Sequence, residues 1–315
     1  IASYDKALQF KPDDPEAWYS RGNALDELGQ LEEAIASYDK ALQFKPDDPE
    51  AWYSRGNALD ELGQLEEAIA SYDKALQFKP DDPEAWYSRG NALDELGQLE
   101  EAIASFDKAL QFKFDDHQAW NNRGNALFNL GRFEEAIASF DKALQFKFDD
   151  HQAWNNRGIA LSELGQLEEA IASYDNTLKF KPNYHEVWNN RGIALSKLGR
   201  LEEAIASYDK ALQIKPDDYQ TWDNRGYALC KLEQLEEAII SCNKALEIKP
   251  DYDNAFYNKA CYLALQNQIY LALENLQQAI TLNPDKYREM AKTDSELDNI
   301  RQDPRFQALI QNDTD

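Results

Sequence analysis

The chain has 315 residues and a net charge of −25, because 58 aspartates and glutamates outnumber 33 lysines and arginines. Binding to nucleic-acid phosphates requires a basic surface, so we expect no nucleic acid as a partner. No apolar run approaches the ~20 residues of a membrane-spanning helix, and no secretory signal is visible, so we expect no membrane partner either.

Cysteine usage indicates a reducing compartment. The chain has three cysteines, Cys230, Cys242 and Cys261, and no Cys-x-x-Cys motif. The sequence therefore indicates neither a disulfide framework nor a metal site made of thiols, and we interpret the three thiols as structural. We expect a cytoplasmic protein.

The same 34-residue unit recurs along nearly the whole chain, and residues 1–71 return letter for letter as residues 35–105. A tryptophan marks each unit at one constant spacing, and Phe256 takes the next place in the series. These tryptophans are Trp18, Trp52, Trp86, Trp120, Trp154, Trp188 and Trp222. A period of this length predicts a solenoid, in which each unit buries its apolar face against its neighbours.

The first residues, 1–14, read as the second helix of a repeat whose first helix is missing. The only methionine is Met290. We therefore expect the chain to be a piece of a longer protein, with the missing part on the N-terminal side. The apolar face of this lone helix predicts end-to-end contacts with another molecule.

The unit that covers residues 15–48 contains two helical patterns, one over about Glu16–Leu28 and one over Leu31–Phe44. Apolar residues recur in both at steps of three and four, as in amphipathic helices. Gly29 is placed to end the first helix in a left-handed conformation, and Pro46 ends the second. No alternation typical of strands is present.

These residues resemble the signature of the tetratricopeptide repeat (TPR), in which large and small side chains alternate at fixed positions. The matching residues are Trp18, Gly22, Leu25, Ala34, Tyr38, Ala41 and Pro46. The resemblance implies an all-α, right-handed superhelical solenoid of antiparallel helix pairs, similar to tandem bacterial arrays. Eight repeats over residues 15–284 carry it, starting at Pro15, Pro49, Pro83, His117, His151, His185, Tyr219 and Asp253.

The last repeats depart from the pattern. Glu233 and Asn267 replace the turn glycine, Cys242 replaces the aromatic residue of the second helix, and Ala260 replaces the small glycine. The pattern then lapses, and we expect residues 285–315 to form capping helices over the last apolar face.

Charge is graded along the array. Residues 15–48 hold eight acidic and three basic residues, whereas residues 117–150 hold five and four. Two interpretations stay open: a charged surface that keeps the protein soluble, or a groove suited to a partner with a basic segment.

The resemblance also implies that the first helix of each pair lines a concave groove. Carried over position by position, the predicted peptide-binding residues are Tyr19, Tyr53 and Tyr87; Asn23, Asn57, Asn91 and Asn125; and Asp26, Asp60 and Asp94. The groove positions lack the lysines and arginines of the cationic clamp known in this family, which we therefore reject.

One groove position holds asparagine in five successive repeats: Asn122, Asn156, Asn190, Asn224 and Asn258. An amide side chain can both donate to and accept from a peptide backbone. This row is similar to the asparagine ladders of long TPR superhelices, and it predicts a grip on an extended peptide. The alternatives are that these amides are solvated filler or that they bond their neighbours.

No pattern of catalytic, cofactor-binding or metal-ligating residues appears, so we expect no enzyme, no cofactor and no metal. The leading hypothesis is a protein-interaction scaffold that binds an extended peptide or protein element. The alternatives are the recruiting or regulatory arm of a larger enzyme or sensor, and a self-associating structural solenoid.

Overall fold

The computed structural model describes residues 1–311, and within them every regular element is helical, which confirms the predicted all-α class. Residues 312–315 of the predicted cap lie outside the described residues. The helices are α1 (Ala2–Phe10), α2 (Pro15–Asp26), α3 (Leu31–Phe44), α4 (Pro49–Glu61), α5 (Leu65–Phe78), α6 (Pro83–Glu95), α7 (Leu99–Phe112), α8 (His117–Asn129), α9 (Phe133–Phe146), α10 (His151–Glu163), α11 (Leu167–Phe180), α12 (His185–Lys197), α13 (Leu201–Ile214), α14 (Tyr219–Lys231), α15 (Leu235–Ile248), α16 (Asp253–Leu265), α17 (Ile269–Leu282), α18 (Pro284–Thr293), a 3-10 helix (Ser295–Ile300) and α19 (Pro304–Ile310).

The chain forms two compact units, residues 1–160 and residues 161–315. In the first unit, antiparallel pairs α2–α3, α4–α5, α6–α7 and α8–α9 stack in order; in the second, pairs α12–α13, α14–α15 and α16–α17 do the same. The first helices of successive repeats also contact each other directly, as α2–α4–α6–α8 and as α12–α14–α16. Within each unit they form a continuous surface, which we call the A-helix face.

Local signals set the helix ends as the sequence predicts. The Asp14 carboxylate accepts a hydrogen bond from the backbone N–H of Glu16 at 3.2 Å, which caps α2. Gly29 has φ +69°, so the predicted left-handed turn is confirmed. Glu233 and Asn267 adopt the same conformation, with φ values of 61° and 60°, so the turn survives the loss of glycine at both places.

The glycine in the middle of each first helix allows close packing of an aromatic ring. A methyl group placed on Gly22 would lie 2.5 Å from Cε1 of Tyr38, which is fully buried. The seventh repeat packs differently, because Cys242 on α15 replaces the aromatic ring. Tyr262, on α16 of the next repeat, is buried in the same core cluster as Cys242. In this cluster a large aromatic side chain is therefore supplied by α16 and not by α15.

An arginine bridges consecutive second helices. The Arg21 guanidinium lies over the Trp18 ring and donates from Nε to Asp5 at 2.8 Å and from a terminal nitrogen to Ser37 at 2.6 Å. We call this arrangement the arginine bridge. Both bonds recur at Arg55, Arg89, Arg123, Arg191 and Arg225. These arginines therefore pack between helices and pair with acidic groups.

The C-terminal helices cover an apolar face. Tyr287, Leu297, Ile300 and Phe306 are buried in the same core cluster as residues of α16 and α17. At the other end, Phe10 is 90% exposed although Leu8 is buried. Among the described residues, none of the helices combines the length and hydropathy needed to cross a bilayer.

Candidate peptide-binding face

All predicted peptide-binding residues lie half-buried on first helices of the repeats. Tyr19, Asn23 and Asp26 belong to α2, and their counterparts occupy the same positions on the following first helices. A half-buried polar side chain is held in place by its neighbours and still reaches solvent. The face therefore presents ordered polar groups.

In the first repeats, these positions bond through tyrosine hydroxyls. The Tyr38 hydroxyl donates to the Asn23 side-chain oxygen at 2.8 Å, and Tyr72 donates to Asn57 at 2.9 Å. The Tyr19 hydroxyl lies 3.4 Å from the Ser54 hydroxyl of the next repeat. The asparagine oxygens are thus used within their own repeat.

The pattern changes where phenylalanine replaces that tyrosine. Phe106 has no hydroxyl, and the Asn91 oxygen instead accepts from Nδ2 of Asn122 at 2.9 Å. Nδ2 of Asn122 also donates to the Tyr87 hydroxyl at 3.1 Å. In the same way, Nδ2 of Asn156 donates to Asn125 at 2.9 Å and to Asn121 at 3.4 Å. The asparagine oxygen that accepts from a tyrosine of its own repeat in the first two repeats thus accepts from an asparagine of the next repeat here.

The asparagine row continues this contact in the second unit. Nδ2 of Asn224 donates to Asn189 at 3.0 Å, and Nδ2 of Asn258 donates to Asp223 at 2.9 Å. Asn190 makes no side-chain hydrogen bond within residues 1–311. At four of the five positions the amide N–H groups thus join neighbouring first helices. An amide oxygen has two lone pairs, so the row keeps capacity to accept further hydrogen bonds.

Asp26, Asp60 and Asp94 form an acidic row along α2, α4 and α6. No hydrogen bond or ion pair engages these three carboxylates within the described residues 1–311. Burial raises the pKa of all three, and neighbouring glutamates add to the rise at Asp26 and Asp60. One oxygen of Asp94 is shielded from solvent and has no donor. Burial has partly desolvated these carboxylates, and no basic side chain of the described residues pairs with them.

The acidic row ends at an apolar pocket. Phe128 takes the place of the aspartate on α8, and it lines a cavity of about 60 Å³ with Asn125, Phe140, Asn156 and Ile159. A volume of this size suits one small apolar side chain. The face therefore changes from acidic to apolar within the first unit.

Asp223 is a buried charge that the sequence reasoning did not single out. The residue is only 8% exposed, and its carboxylate accepts from Asn258 at 2.9 Å and from the Tyr252 hydroxyl at 3.4 Å. Burial raises the pKa of Asp223 to about 6, although these hydrogen bonds oppose the rise. The available signal was a lone acid at a position that holds tyrosine or asparagine in every other repeat.

A cluster of Cys261, Asp294 and Glu296 brings three ligand-type atoms together. Each group already has a structural role: Asp294 caps the 3-10 helix and accepts from the Tyr257 hydroxyl, the Cys261 thiol donates to Asp294 at 3.8 Å, and Glu296 pairs with Lys231 at 2.8 Å. Burial raises the pKa of the Cys261 thiol, which disfavours the thiolate that a metal requires. The cluster holds the C-terminal cap against α16.

Family models match the chain almost throughout. The model described as "TPR repeat" matches residues 22–63, 56–96, 90–131 and 160–199, and models described as "Tetratricopeptide repeat" match residues 3–36, 117–150, 185–218, 219–252 and 253–286. No curated protein matches the chain.

Solved structures show the same fold. YrrB, described as a TPR protein with an unusual peptide-binding site, is 26% identical, with a TM-score of 0.55 over 60% of this chain and 97% of that one. The C-terminal part of a TPR protein from Cytophaga hutchinsonii is 18% identical, with a TM-score of 0.67 over 76% and 98%. A TPR protein from Parabacteroides merdae is 20% identical, with a TM-score of 0.56 over 82% and 98%.

The family models, the stacked helix pairs and the solved structures agree with the resemblance found in the sequence. Arrays made only of such repeats are typical of protein-interaction scaffolds. The chain therefore belongs to the tetratricopeptide repeat family.

Proposed function

We propose that the A-helix face of the first unit binds an extended peptide that carries a basic segment. The observation that carries this proposal is the acidic row: Asp26, Asp60 and Asp94 are half-buried carboxylates without a cation. Lysine or arginine side chains of a partner supply the missing charge and the missing donors. The protein acts as a scaffold and catalyses no reaction.

The spacing of the repeats fits such a ligand. Packed helices lie ~8–10 Å apart, and an extended chain advances ~3.3 Å per residue, so one repeat corresponds to two or three peptide residues. A basic residue at about every third position therefore meets successive aspartates. The side-chain oxygens of Asn122 and Asn156 then accept backbone N–H groups, and the pocket at Phe128 receives an apolar side chain. YrrB, by its description, also has a peptide-binding site.

The acidic row is tested by the triple variant Asp26→Asn, Asp60→Asn and Asp94→Asn. A labelled twelve-residue peptide with lysine at every third position serves as the probe in fluorescence anisotropy. Each lost charge-assisted contact is worth ~1 kcal/mol or more, so the three together are worth ~3 kcal/mol or more and we expect affinity to fall at least ~100-fold at physiological salt. The on-rate of the wild type falls as salt rises, because the screening length is then only ~8 Å.

A matched control changes three exposed aspartates of the inter-repeat loops, Asp13→Asn, Asp47→Asn and Asp81→Asn. It removes the same net charge and should leave affinity within about twofold, since exposed charges contribute little at this salt concentration. Equal losses in both triple variants would show that only net charge matters. A preference for an acidic peptide would contradict the proposal outright.

The asparagine row is tested by the double variant Asn122→Ser and Asn156→Ser. Serine is the residue that the second and third repeats carry there, as Ser54 and Ser88, and it keeps a donor for the neighbouring helix. Two hydrogen bonds to the peptide are worth ~1–3 kcal/mol, so affinity should fall ~5- to 100-fold while the helical circular dichroism stays constant. Asn129→Ser, an exposed change on α8, is the control. Unaltered affinity in the double variant excludes the row from the binding site.

A further inference from the structure

The eighth repeat lacks the arginine bridge. In the seven earlier repeats, an arginine pairs with an aspartate of the preceding second helix at 2.6–2.8 Å. The eighth has Lys259 in place of the arginine, Asn243 in place of the aspartate and Phe256 in place of the tryptophan. Asn275 replaces the serine and bonds the backbone of its own helix, from Nδ2 to the Leu271 carbonyl at 2.7 Å. All partners of the bridge have changed together.

A cavity of about 560 Å³ occupies the place of the missing bridge. It lies between α15 and α17, with α16 as its floor, and its lining includes none of the predicted peptide-binding residues. This volume is in the range of small-molecule sites. The shorter lysine and the smaller phenylalanine leave the cleft unfilled.

The cavity walls are apolar where the other repeats are small or acidic. Ile240 occupies a position that holds alanine in the six preceding second helices from α3 to α13, and Leu271 occupies one that holds glutamate from α3 to α15. Ile240 is 55% exposed and Leu271 is 42% exposed, so both present apolar surface to solvent at the cavity. Ile239, Phe256 and Leu263 complete this apolar lining.

Lys259 gives the cavity one unpaired positive charge. Within residues 1–311 its ammonium has no hydrogen-bond or ion-pair partner. Glu236 and Glu274 also line the cavity, but neither forms an ion pair with Lys259. Lys259 is the one cation among the lining residues, which otherwise comprise five apolar side chains, five uncharged amides and these two glutamates. A ligand with one negative charge and an apolar body can pair with Lys259 and contact the apolar part of this lining. The two glutamates disfavour a ligand of higher negative charge, such as a phosphate monoester.

We propose that this cavity binds a small free carboxylic acid with an apolar chain. The carboxylate pairs with Lys259, and the chain lies against Ile240, Phe256 and Leu271. The site is independent of the peptide-binding face of the first unit, because it lies wholly within the second.

Octanoate is the probe, measured by isothermal titration calorimetry and by amide chemical-shift changes. We expect binding to the wild type, with shifts centred on Ile240, Lys259 and Leu271. Lys259→Gln removes one charge-assisted contact and should weaken binding ~10-fold or more. Leu271→Glu restores the residue of the other repeats and should weaken it at least as much. Octanol, which has no charge, should bind wild type and Lys259→Gln equally.

Lys210→Gln, which changes an exposed lysine on α13, is the matched control and should not alter octanoate binding. Octanoate that fails to bind, or that binds Lys259→Gln as tightly as wild type, overturns the proposal. The C-terminus of a peptide could supply the same combination of a carboxylate and an apolar group. A short peptide that ends in leucine with a free carboxylate distinguishes this source from a free acid. If this peptide binds more tightly than octanoate, the site receives a chain end and the assignment to a free acid is wrong. Thermal melts of each variant report folding independently of binding.

Discussion

Replacing Gly124 with alanine is expected to lower the free energy of unfolding by about 2 kcal/mol or more, as overpacked cores do. The added methyl would lie 2.5 Å from Cε1 of Phe140 and 2.9 Å from Cζ, and the ring is fully buried. Alanine stabilises a helix by ~1 kcal/mol relative to glycine. The measured change in the free energy of unfolding is therefore the steric cost minus this gain. Urea denaturation followed by circular dichroism measures it.

The seventh repeat supplies the control. A methyl on Gly226 meets no ring, because its nearest neighbours are the Ala238 carbonyl oxygen at 3.2 Å, Cβ of Ser241 at 3.4 Å and the Cys242 sulfur at 3.6 Å. Gly226→Ala should therefore be near neutral. Combining Gly124→Ala with Phe140→Cys, which copies the seventh repeat, should cost less than the sum of the two single changes. Strict additivity would show that the ring is not the obstacle.

Replacing Asp223 with asparagine is expected to stabilise the protein at neutral pH. The carboxyl has a pKa of about 6 in the folded protein and ~3.9 in an unfolded chain, so above pH 6 its ionisation lowers stability by up to ~3 kcal/mol. Asparagine removes this charge. Its side-chain oxygen still accepts from Asn258, so the link between α14 and α16 is kept.

The pH dependence has a definite sign. Between pH ~4 and about 6, the folded protein holds a proton on Asp223 that the unfolded chain releases, so the stability contributed by this group is complete below pH ~4 and is lost as pH rises through 6. The advantage of Asp223→Asn should thus be negligible at pH 4 and largest at pH 7. Asp251→Asn, an exposed change, is the control. A variant that is less stable than wild type at pH 7 contradicts the burial of this charge.

The repeat pattern was sufficient to predict the fold, because each signal acts locally and recurs. Gly29 and Pro46 set the ends of helices, and the small residue at Gly22 sets how closely the pair packs. Glu233 shows the limit of this reasoning, since the left-handed turn forms there without glycine. Stacking over the whole repeat outweighs the cost at one residue.

The candidate site was less predictable, because the hydrogen bonds that link its repeats join residues 31 or 35 positions apart. Asn122 was predicted to be a peptide contact, and the sequence left open that it bonds a neighbour. Only the structure shows that its amide hydrogens bond Asn91 and Tyr87. The cavity at Lys259 is formed by residues of three helices. In the sequence, each substitution at this cavity looks like an isolated departure from the repeat pattern, so the cavity could not be predicted.

The exchange of tyrosine for phenylalanine at Phe106 and Phe140 bears on how the array opens. A Tyr38-type bond stabilises one repeat, whereas an Asn122-type bond stabilises the interface between two. In a one-dimensional Ising description, the first adds to the intrinsic term and the second to the nearest-neighbour coupling. Coupling governs cooperativity, so α6 and α8 should exchange their amide hydrogens as one block, whereas α2 and α4 should open more independently.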